Sequence, residues 1–363
     1  MVNVTMPMQF FVLSMYLYIV KTMRHLLLLA LLGSAVVLAR PGSAVITTAT
    51  DADETSALSG ETYAVIISGG RSKMFNHERY WNDCAFLYRT LRQDCNIPKD
   101  HITLLMADGD NPATDMLRDG ARGFASSPTD LDGDGQADLT LAATRQNVDN
   151  TLRQLAATMT SADHIFLFIT DHGERDADFS GRTADRDQSA GGAGIRLWLW
   201  GNEQVSPDEL AAMVGQCHPA TMNILLGQCY AGAFVEKLRS CGVEDGCIIT
   251  AACSAEQMSW SCKDRCYDEF VYHWTCAIAQ HDEQGQPIDS DQDGDGCISM
   301  YEAFDYARQH DRRPETPSLT AQPATMARQW SFGRMGIEND IPQIPTLNPQ
   351  ISTIYDLQGR KLK

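Results

Sequence analysis

Short apolar runs alternate with amphipathic segments along most of the chain. The runs that predict buried strands cover residues 63–70, 101–108, 164–170, 195–200, 222–228 and 247–252. Apolar side chains recur at helical spacing in residues 76–95 and 143–159, and Ser206 opens a capping box that predicts a further helix to about Gly215. Strands that are apolar throughout and alternate with helices are typical of parallel sheets. The pattern therefore predicts an α/β fold, with a mainly parallel sheet and helices on both faces.

The first 60 residues differ from the rest in composition. Two apolar stretches, residues 10–20 and 26–39, are separated by three basic residues, and small residues follow the second stretch. A basic region, an apolar core and then small residues are typical of a secretory signal. We therefore expect residues 1–44 to direct export and residues 45–60 to form a linker. An uncleaved membrane anchor is the alternative, although each stretch alone is short for a bilayer span.

The length of the chain indicates its domain organisation, and its charge limits the classes of partner. The chain has 363 residues, 44% of them hydrophobic, and a formal net charge of −18. The length suffices for a substantial core, and we expect one large domain at residues 61–322 followed by a C-terminal tail at 323–363. The negative charge argues against nucleic acid or anionic lipid as the main partner, so no membrane contact is expected beyond a possible N-terminal anchor. The protein is expected in the periplasm, on the cell surface or outside the cell.

A histidine and a cysteine follow two of the predicted strands. His172 comes after residues 164–170 and Cys229 after residues 222–228, a separation of 57 residues (229 minus 172). The carboxyl ends of parallel strands meet at one edge of a sheet, where ligands bind. A histidine there can activate a cysteine thiol as a nucleophile and then protonate a leaving amine. Because the chain has eleven cysteines, a disulfide is the alternative role for Cys229.

The two segments FLFITDHG and ILLGQCYAG resemble the motifs of the legumain (asparaginyl endopeptidase) family of cysteine peptidases, which belongs with caspases and gingipains. NHERYWNDCAFLYRTL, TAACSAEQMSWSC and YDEFVYHW resemble further segments of that family in the same order, so the resemblance spans roughly residues 62–280. It implies a caspase-like sheet and a cysteine endopeptidase. His172 and Cys229 would be the catalytic pair, and the N–H of Gly173 would stabilise the oxyanion.

The resemblance also implies a specificity pocket. Arg79 matches the arginine that lines this pocket in the family, Asp268 matches its aspartate, and Ser259 is assigned to substrate binding. The family's acidic residue two positions before the cysteine is Gly227 here. A pocket with both charges suits a side chain that donates and accepts hydrogen bonds, and the loss of one acid can admit an acidic side chain. The implied cleavage is therefore after Asn or Asp.

The third catalytic residue stays open. In the family an asparagine two residues before the pocket arginine orients the histidine. That position is His77 here, and the neighbouring Asn76 is one position away. Asn76, His77 and neither of them are the three possibilities.

Two aspartate-rich loops match the calcium-binding pattern to different degrees. In residues 291–302 the ligand positions are filled by the carboxylates of Asp291, Asp293, Asp295 and Glu302 and the carbonyl of Cys297. In residues 130–138 Asp130, Asp132 and Asp134 fit the pattern, but Leu141 stands where the bidentate glutamate belongs. We expect structural calcium in the later loop, leave it open in the earlier one, and expect no cofactor in catalysis. An acidic solvent loop is the alternative.

Together these features predict an exported, calcium-stabilised cysteine endopeptidase that acts on polypeptides. Two alternatives stay open. One is a catalytically silent relative that acts as a calcium-dependent binding module. The other is a transpeptidase that uses the same dyad, because an amine can resolve an acyl-enzyme as well as water can.

Overall fold

The computed structural model describes residues 60–120, 123–139, 141–176, 194–241, 246–332 and 334–335. The predicted export segment, the linker up to residue 59 and the end of the predicted C-terminal tail lie outside the described residues. Within these ranges no helix is both long and apolar enough to cross a membrane.

The elements follow one another in the predicted alternation. The strands are β1 (Thr62–Ser68), β2 (Ile102–Met106), β3 (Met116–Leu117), β4 (Phe124–Ala125), β5 (His164–Thr170), β6 (Gly173–Arg175), β7 (Ile195–Leu199), β8 (Glu203–Val205), β9 (Thr221–Leu226), β10 (Cys247–Ala251), β11 (Ser318–Gln322), β12 (Trp330–Ser331) and β13 (Arg334–Met335). The helices are α1 (Glu78–Arg89), α2 (Arg145–Thr158), α3 (Pro207–Val214), α4 (Gly232–Arg239), α5 (Glu269–Ala279), α6 (Met300–His310) and α7 (Met326–Gln329).

Six strands form the central sheet, in the order β11-β10-β9-β5-β1-β2. All neighbours are parallel except β10 and β11, which pair antiparallel and close one edge. All seven residues of β5 are buried, because β1 and β9 flank it and helices cover both of its faces. The predicted mainly parallel sheet is confirmed.

Successive strand residues point to opposite faces of the sheet, and each face has its own core. On β1, Ala64 and Ile66 belong to the core that includes α1, α5 and α6. Val65 and Ile67 belong to the other core, with α2, α3 and α4. Because both faces are covered, these strands need apolar residues at every position, and this explains the uninterrupted apolar runs in the sequence.

Two local predictions are also confirmed. Helix α3 begins at a capping box in which Ser206 accepts from the Glu209 N–H and the Glu209 carboxylate accepts from the Ser206 N–H. Residues 195–200 contribute β7, which pairs antiparallel with β6 and β8 in a small separate sheet. Because β6 begins at Gly173, this hairpin starts directly after His172.

The predicted C-terminal tail contributes to the core at its beginning. Helix α7 and β12 lie within residues 323–363, and Ala327 and Trp330 are only 2% and 1% exposed. Both side chains pack in the core that includes α1, α5 and α6.

The described residues include all eleven cysteines, and the structure joins no two of them by a disulfide. The alternative of a disulfide at Cys229 is therefore wrong for this structure. Five of the cysteines, including Cys84 and Cys217, are buried, where apolar packing accounts for them without a covalent partner. Cys229 has no disulfide partner.

Candidate active site

The parallel pairing of β5 with β9 brings His172 and Cys229 to the same edge of the sheet. Ile169 is the register partner of Leu226, and His172 and Cys229 each lie three residues further along. A side chain on Gly173 would place its Cβ 1.9 Å from the Cys229 carbonyl oxygen, so the two chain segments touch backbone to backbone. Only glycine permits this approach. The structure therefore places the predicted pair on adjacent chain segments.

Both catalytic candidates are presented by tight turns. Asp171, directly before His172, has a φ of 99°, and Tyr230, directly after Cys229, has a φ of 58°. These are left-handed conformations that side chains other than glycine adopt only when the surroundings hold them. The Asp171 carboxylate does this for its turn, since it accepts from the N–H of Gly70 at 2.6 Å and of His172 at 2.7 Å. Burial raises the pKa of Asp171 to about 7.

The His172 imidazole is oriented by a backbone carbonyl. Its Nε2 lies 3.0 Å from the carbonyl oxygen of Phe75. A carbonyl can only accept, so Nε2 carries the proton and Nδ1 is left as the acceptor. The rings of Phe75, His77 and Tyr80 surround the imidazole, with centroids 5.8, 5.9 and 5.4 Å away.

The structure shows what the two candidates for a third catalytic residue contact. The Asn76 side-chain amide donates to the carbonyl oxygen of Asp115 at 3.0 Å, and His77 Nδ1 lies 2.8 Å from Asp119 Oδ1. Neither side chain makes a hydrogen bond to His172 in the described structure. The Phe75 carbonyl takes the orienting position, and it left no sequence signal because every residue has a carbonyl.

The substrate-free pair is neutral. Burial is the main reason that the pKa of His172 falls from 6.5 to about 4, and the nearby positive charge of Arg79 adds to the effect. Burial also raises the pKa of the Cys229 thiol above its ordinary value. The Cys229 sulfur is 3.7 Å from both the carbonyl oxygen and the hydroxyl of Ser259, which places the third predicted substrate-binding residue at the nucleophile.

The predicted pocket charges also meet. Arg79 Nε donates to Asp268 Oδ1 at 2.9 Å, and another guanidinium nitrogen donates to the Tyr80 hydroxyl at 2.8 Å. Asp119 Oδ2 lies 3.4 Å from Arg79 Nη1 and forms a second ion pair with the guanidinium. Asp119 was missed in the sequence, because it lies 40 residues from Arg79 and belongs to no recognised motif.

Two acids lie behind this pocket. The Asp83 carboxylate accepts from the Asp268 N–H at 3.2 and 3.3 Å. Burial and then repulsion from Asp268 raise the pKa of Asp83, and burial is the main reason that the pKa of Asp268 is raised. Glu315 accepts from the Trp260 N–H at 3.0 Å, and burial with the neighbouring Asp311 raises its pKa to about 10. Glu315 is therefore an uncharged acid at neutral pH, next to the segment that contacts Cys229.

The surroundings of Gly227 explain why this chain lacks the family's acidic residue two positions before the cysteine. A Cβ at this position would lie 2.7 Å from the Val271 side chain on α5 and 3.1 Å from the Thr170 hydroxyl. A carboxylate-bearing residue would therefore need the Val271 side chain to shift. The following Gln228 is fully buried, and its amide has no hydrogen-bond partner within the described residues.

The two aspartate-rich loops share one conformation. In the earlier loop Gly133 and Gly135 N–H donate to Asp130 at 2.7 and 2.9 Å. In the later loop Gly294 and Gly296 N–H donate to Asp291 at the same two distances. Among the described residues, potential ligand atoms within 4.8 Å of one another come from two groups of acids. These are Asp130, Asp132 and Asp138, and Asp291, Asp293 and Glu302.

Asp138 was missed as a member of the earlier group. The pattern placed the last ligand at position 12, where Leu141 stands, but Asp138 reaches back to the loop from position 9. Its Oδ2 accepts from the Leu131 N–H at 2.8 Å, just as Glu302 accepts from the Gln292 N–H at 2.9 Å in the later loop. Asp134 and Asp295 instead accept from the N–H groups of Gln136 and Cys297 at 2.7 Å, so the structure leaves them outside these groups.

Comparison with known proteins agrees with this architecture. The profile of the Peptidase C13 family matches residues 62–293, which include β1 to β10, His172 and Cys229. No curated protein sequence matches the chain significantly. Among solved structures, protein GSU0716 from Geobacter sulfurreducens is similar at 12% identity and a TM-score of 0.41, over 73% of this chain and 96% of that one. The family profile covers more than half of this chain. The chain therefore belongs to the Peptidase C13 family, the legumain family of cysteine peptidases.

Proposed function

We propose that this member of a cysteine peptidase family is an exported endopeptidase that cleaves through His172 and Cys229. The observation that carries the proposal is the backbone contact of Gly173 with Cys229, which sets the two catalytic candidates side by side. The hydrogen bond of His172 Nε2–H to the Phe75 carbonyl adds the tautomer that a base needs, with Nδ1 free to accept.

The reaction begins from the neutral pair. His172 Nδ1 takes the thiol proton as the Cys229 sulfur attacks the carbonyl carbon of the scissile bond. The developing oxyanion meets the N–H groups of Cys229 and Gly173. The His172 carbonyl accepts from the Trp198 N–H across the hairpin. Hydrogen-bonded and non-hydrogen-bonded pairs alternate along an antiparallel ladder, so the N–H of the next residue, Gly173, points away from β7. The imidazolium then protonates the leaving amine, and His172 activates the water that releases the acid from the thioester.

The pocket beside Cys229 suits an amide side chain. Arg79 can donate to the oxygen of a substrate asparagine, and a carboxylate such as Asp268 can accept from its nitrogen. Asp119 and Asp268 both form ion pairs with Arg79, so the positive charge of the guanidinium is neutralised by one more carboxylate than the sequence predicted. We therefore propose cleavage after Asn or Asp, with Asn preferred.

Calcium is the second part of the proposal. Three carboxylates converge in each aspartate-rich loop, and carboxylate oxygens are the ligands that this cation prefers. Repulsion adds to burial in raising the pKa of Asp293, since Glu302, Asp295 and Asp291 surround it. A bound cation would relieve this repulsion. Glu302 would then tie the loop to the first turn of α6, where it also completes a capping box with Ser299.

Replacement of Cys229 with alanine should reduce peptide hydrolysis by at least about 10³-fold, because the nucleophile is lost. The matched control is Cys241→Ala, which removes another half-buried thiol and should leave hydrolysis unchanged.

A peptidyl electrophile ending in asparagine should modify Cys229, as read by peptide mass mapping. Modification of another cysteine, or of none, would contradict the assignment. Product analysis with and without an added amine nucleophile distinguishes hydrolysis, which gives a free acid, from transpeptidation, which joins the acyl group to the amine.

Alkylation of Cys229 by iodoacetamide should keep accelerating with pH through about pH 9, because the resting thiol has a raised pKa and the imidazole is not its ion-pair partner. The rate is followed by mass spectrometry on the Cys229 peptide, since ten other cysteines are present. His172→Gln should leave this profile almost unchanged. A rate plateau between about pH 5 and 8 that His172→Gln abolishes would show a thiolate–imidazolium pair instead.

Asp119→Asn should shift specificity towards acidic substrates. Without this carboxylate Arg79 is less neutralised, so the ratio of kcat/KM for cleavage after Asp to that after Asn should rise about 3- to 10-fold. Glu78→Gln is the matched control, since Glu78 also lies near the start of α1 but pairs with Arg118. An unchanged ratio in Asp119→Asn, or an equal rise in the control, would contradict the pocket assignment.

Millimolar calcium should raise the melting temperature of the chelator-stripped protein. Extracellular calcium loops bind at about 10⁻⁴ to 10⁻³ M, and a hundredfold excess over Kd stabilises the fold by roughly 2.7 kcal/mol. Glu302→Gln should remove most of the shift attributable to the later loop, and Asp138→Asn most of that from the earlier loop.

The capping box of α3 supplies the calcium control. Glu209→Gln and Glu302→Gln should each keep the capping box, because a glutamine at this position can still accept from the N-cap N–H, so the calcium-free stability should change by less than about 1 kcal/mol. Only Glu302→Gln should lose calcium response. A melting curve that calcium leaves unchanged in the starting protein would show that both loops are only acidic turns.

A further inference from the structure

We propose that Arg71 is a positioning residue for His172, which holds the Phe75 carbonyl against the imidazole by stacking on the Phe75 ring. The proposal rests on the proposed function, because it needs His172 to act as the base. Arg71 touches neither Cys229 nor the Arg79 pocket in the described contacts, and no family motif identified in the sequence includes it.

The Arg71 guanidinium is held between two aromatic rings. Its Cζ lies 3.8 Å from the ring centroid of Trp198 and 4.4 Å from that of Phe75. A planar cation between two ring faces is an arrangement that arginine makes and lysine does not reproduce. The stack therefore joins the loop after β1, which carries Phe75, to β7, which carries Trp198.

The other partners of Arg71 belong to the segments that follow His172. Nη1 lies 3.7 Å from Glu174 Oε2, and Nε donates to Asn202 Oδ1 at 3.4 Å. The backbone carbonyl of Arg71 accepts from the Asn202 N–H at 3.0 Å. Both ends of this arginine are thus attached to the small sheet that begins directly after the histidine.

Trp198 completes the connection to His172. Its backbone N–H donates to the His172 carbonyl at 3.0 Å, and its indole N–H donates to Glu174 at 2.5 Å. The imidazole and the carbonyl that orients it therefore lie on two chain segments that Arg71 and Trp198 tie together. A shift of one segment relative to the other would change the distance between Nε2 and the Phe75 oxygen.

The Phe75 side chain needs this support because it is only partly packed. Phe75 is 40% exposed and the preceding Met74 is 56% exposed, whereas the side chain of Arg71 is only 18% exposed. The ring contacts of Phe75 among the described residues are Arg71 and His172. Without the guanidinium, the ring loses the contact that ties it to Trp198. The turn that carries the carbonyl keeps the hydrogen bonds of the Phe75 and Asn76 N–H groups to the Ser72 oxygen, but it loses this side-chain tie to β7 and can shift relative to the imidazole.

The consequence is chemical and local. An imidazole without an acceptor for Nε2–H can rotate or place its proton on Nδ1, and then no lone pair faces the thiol. In a related arrangement, the wrong histidine tautomer lowers kcat by about 10⁴-fold. Loosening the carbonyl is a milder change than removing an acceptor. We expect Arg71→Leu to lower kcat about 10- to 100-fold and to change KM by less than about threefold, since the Arg79 pocket is intact.

The test compares three variants of the full chain. Arg71→Leu removes the charge and the planar group, while Arg71→Lys keeps the charge and should give an intermediate kcat. Arg328→Leu is the matched control, because Arg328 stacks on Tyr301 at 3.3 Å without any contact to His172. It should retain kcat. Melting temperatures and circular dichroism establish that each variant is folded.

A spectroscopic readout separates positioning from general stability and needs no substrate. In protein labelled with ¹⁵N-histidine, the His172 signals are identified by their loss in His172→Gln. They should show the Nε2–H tautomer in the starting protein and in Arg328→Leu, and a mixture of tautomers in Arg71→Leu. A single Nε2–H tautomer in folded Arg71→Leu, or kcat within about twofold, would overturn the proposal. Failure of the Cys229 labelling would overturn the proposed function instead, since the tautomer measurement does not depend on it.

Discussion

The parallel pairing of β5 with β9 determines where every other part of the site lies. Full burial of β5 between two neighbours leaves one register available, because a slip by one residue would exchange the two cores. Past the strand ends, the contact between Gly173 and Cys229 continues that alignment into the turns. The left-handed turns at Asp171 and Tyr230 then aim His172 and the thiol from a rigid base. The geometry of the candidate site is thus a property of the sheet more than of the loops.

Burial also controls the charges around this edge. The desolvated carboxyls of Asp171, Asp83 and Glu315 all have raised pKa values, while Arg79 keeps its charge because carboxylates pair with it. The same desolvation keeps His172 and Cys229 neutral in the absence of substrate. A neutral pair needs no counter-charge at rest, and charge develops only as the reaction proceeds, where backbone N–H groups can meet it.

The sequence predicted the sheet, and it predicted that His172 and Cys229 lie at one edge of it, because both features leave local patterns. Apolar runs report strands covered on two faces, and a histidine or a cysteine after such a run must lie at the sheet edge. Contacts between distant segments leave no such pattern. The Phe75 carbonyl is a main-chain group, Asp119 reaches Arg79 from a separate loop, and Glu315 approaches Trp260 from 55 residues away. Asp138 was missed for another reason, since it occupies an unexpected position in a shortened loop.

Gly173, the residue after His172, can help to trace the lineages that share this fold. Its place is dictated by the carbonyl oxygen that a Cβ would meet at 1.9 Å, and this contact involves only backbone atoms. A descendant that exchanged both His172 and Cys229 for inert residues would still need a glycine at 173 to keep its sheet closed. The glycine is therefore a marker of architecture, and it would survive in pseudoenzymes. Under the proposed function, the histidine and the cysteine would be the markers of chemistry, and only their joint retention would separate a working peptidase from a relative that has kept the scaffold alone.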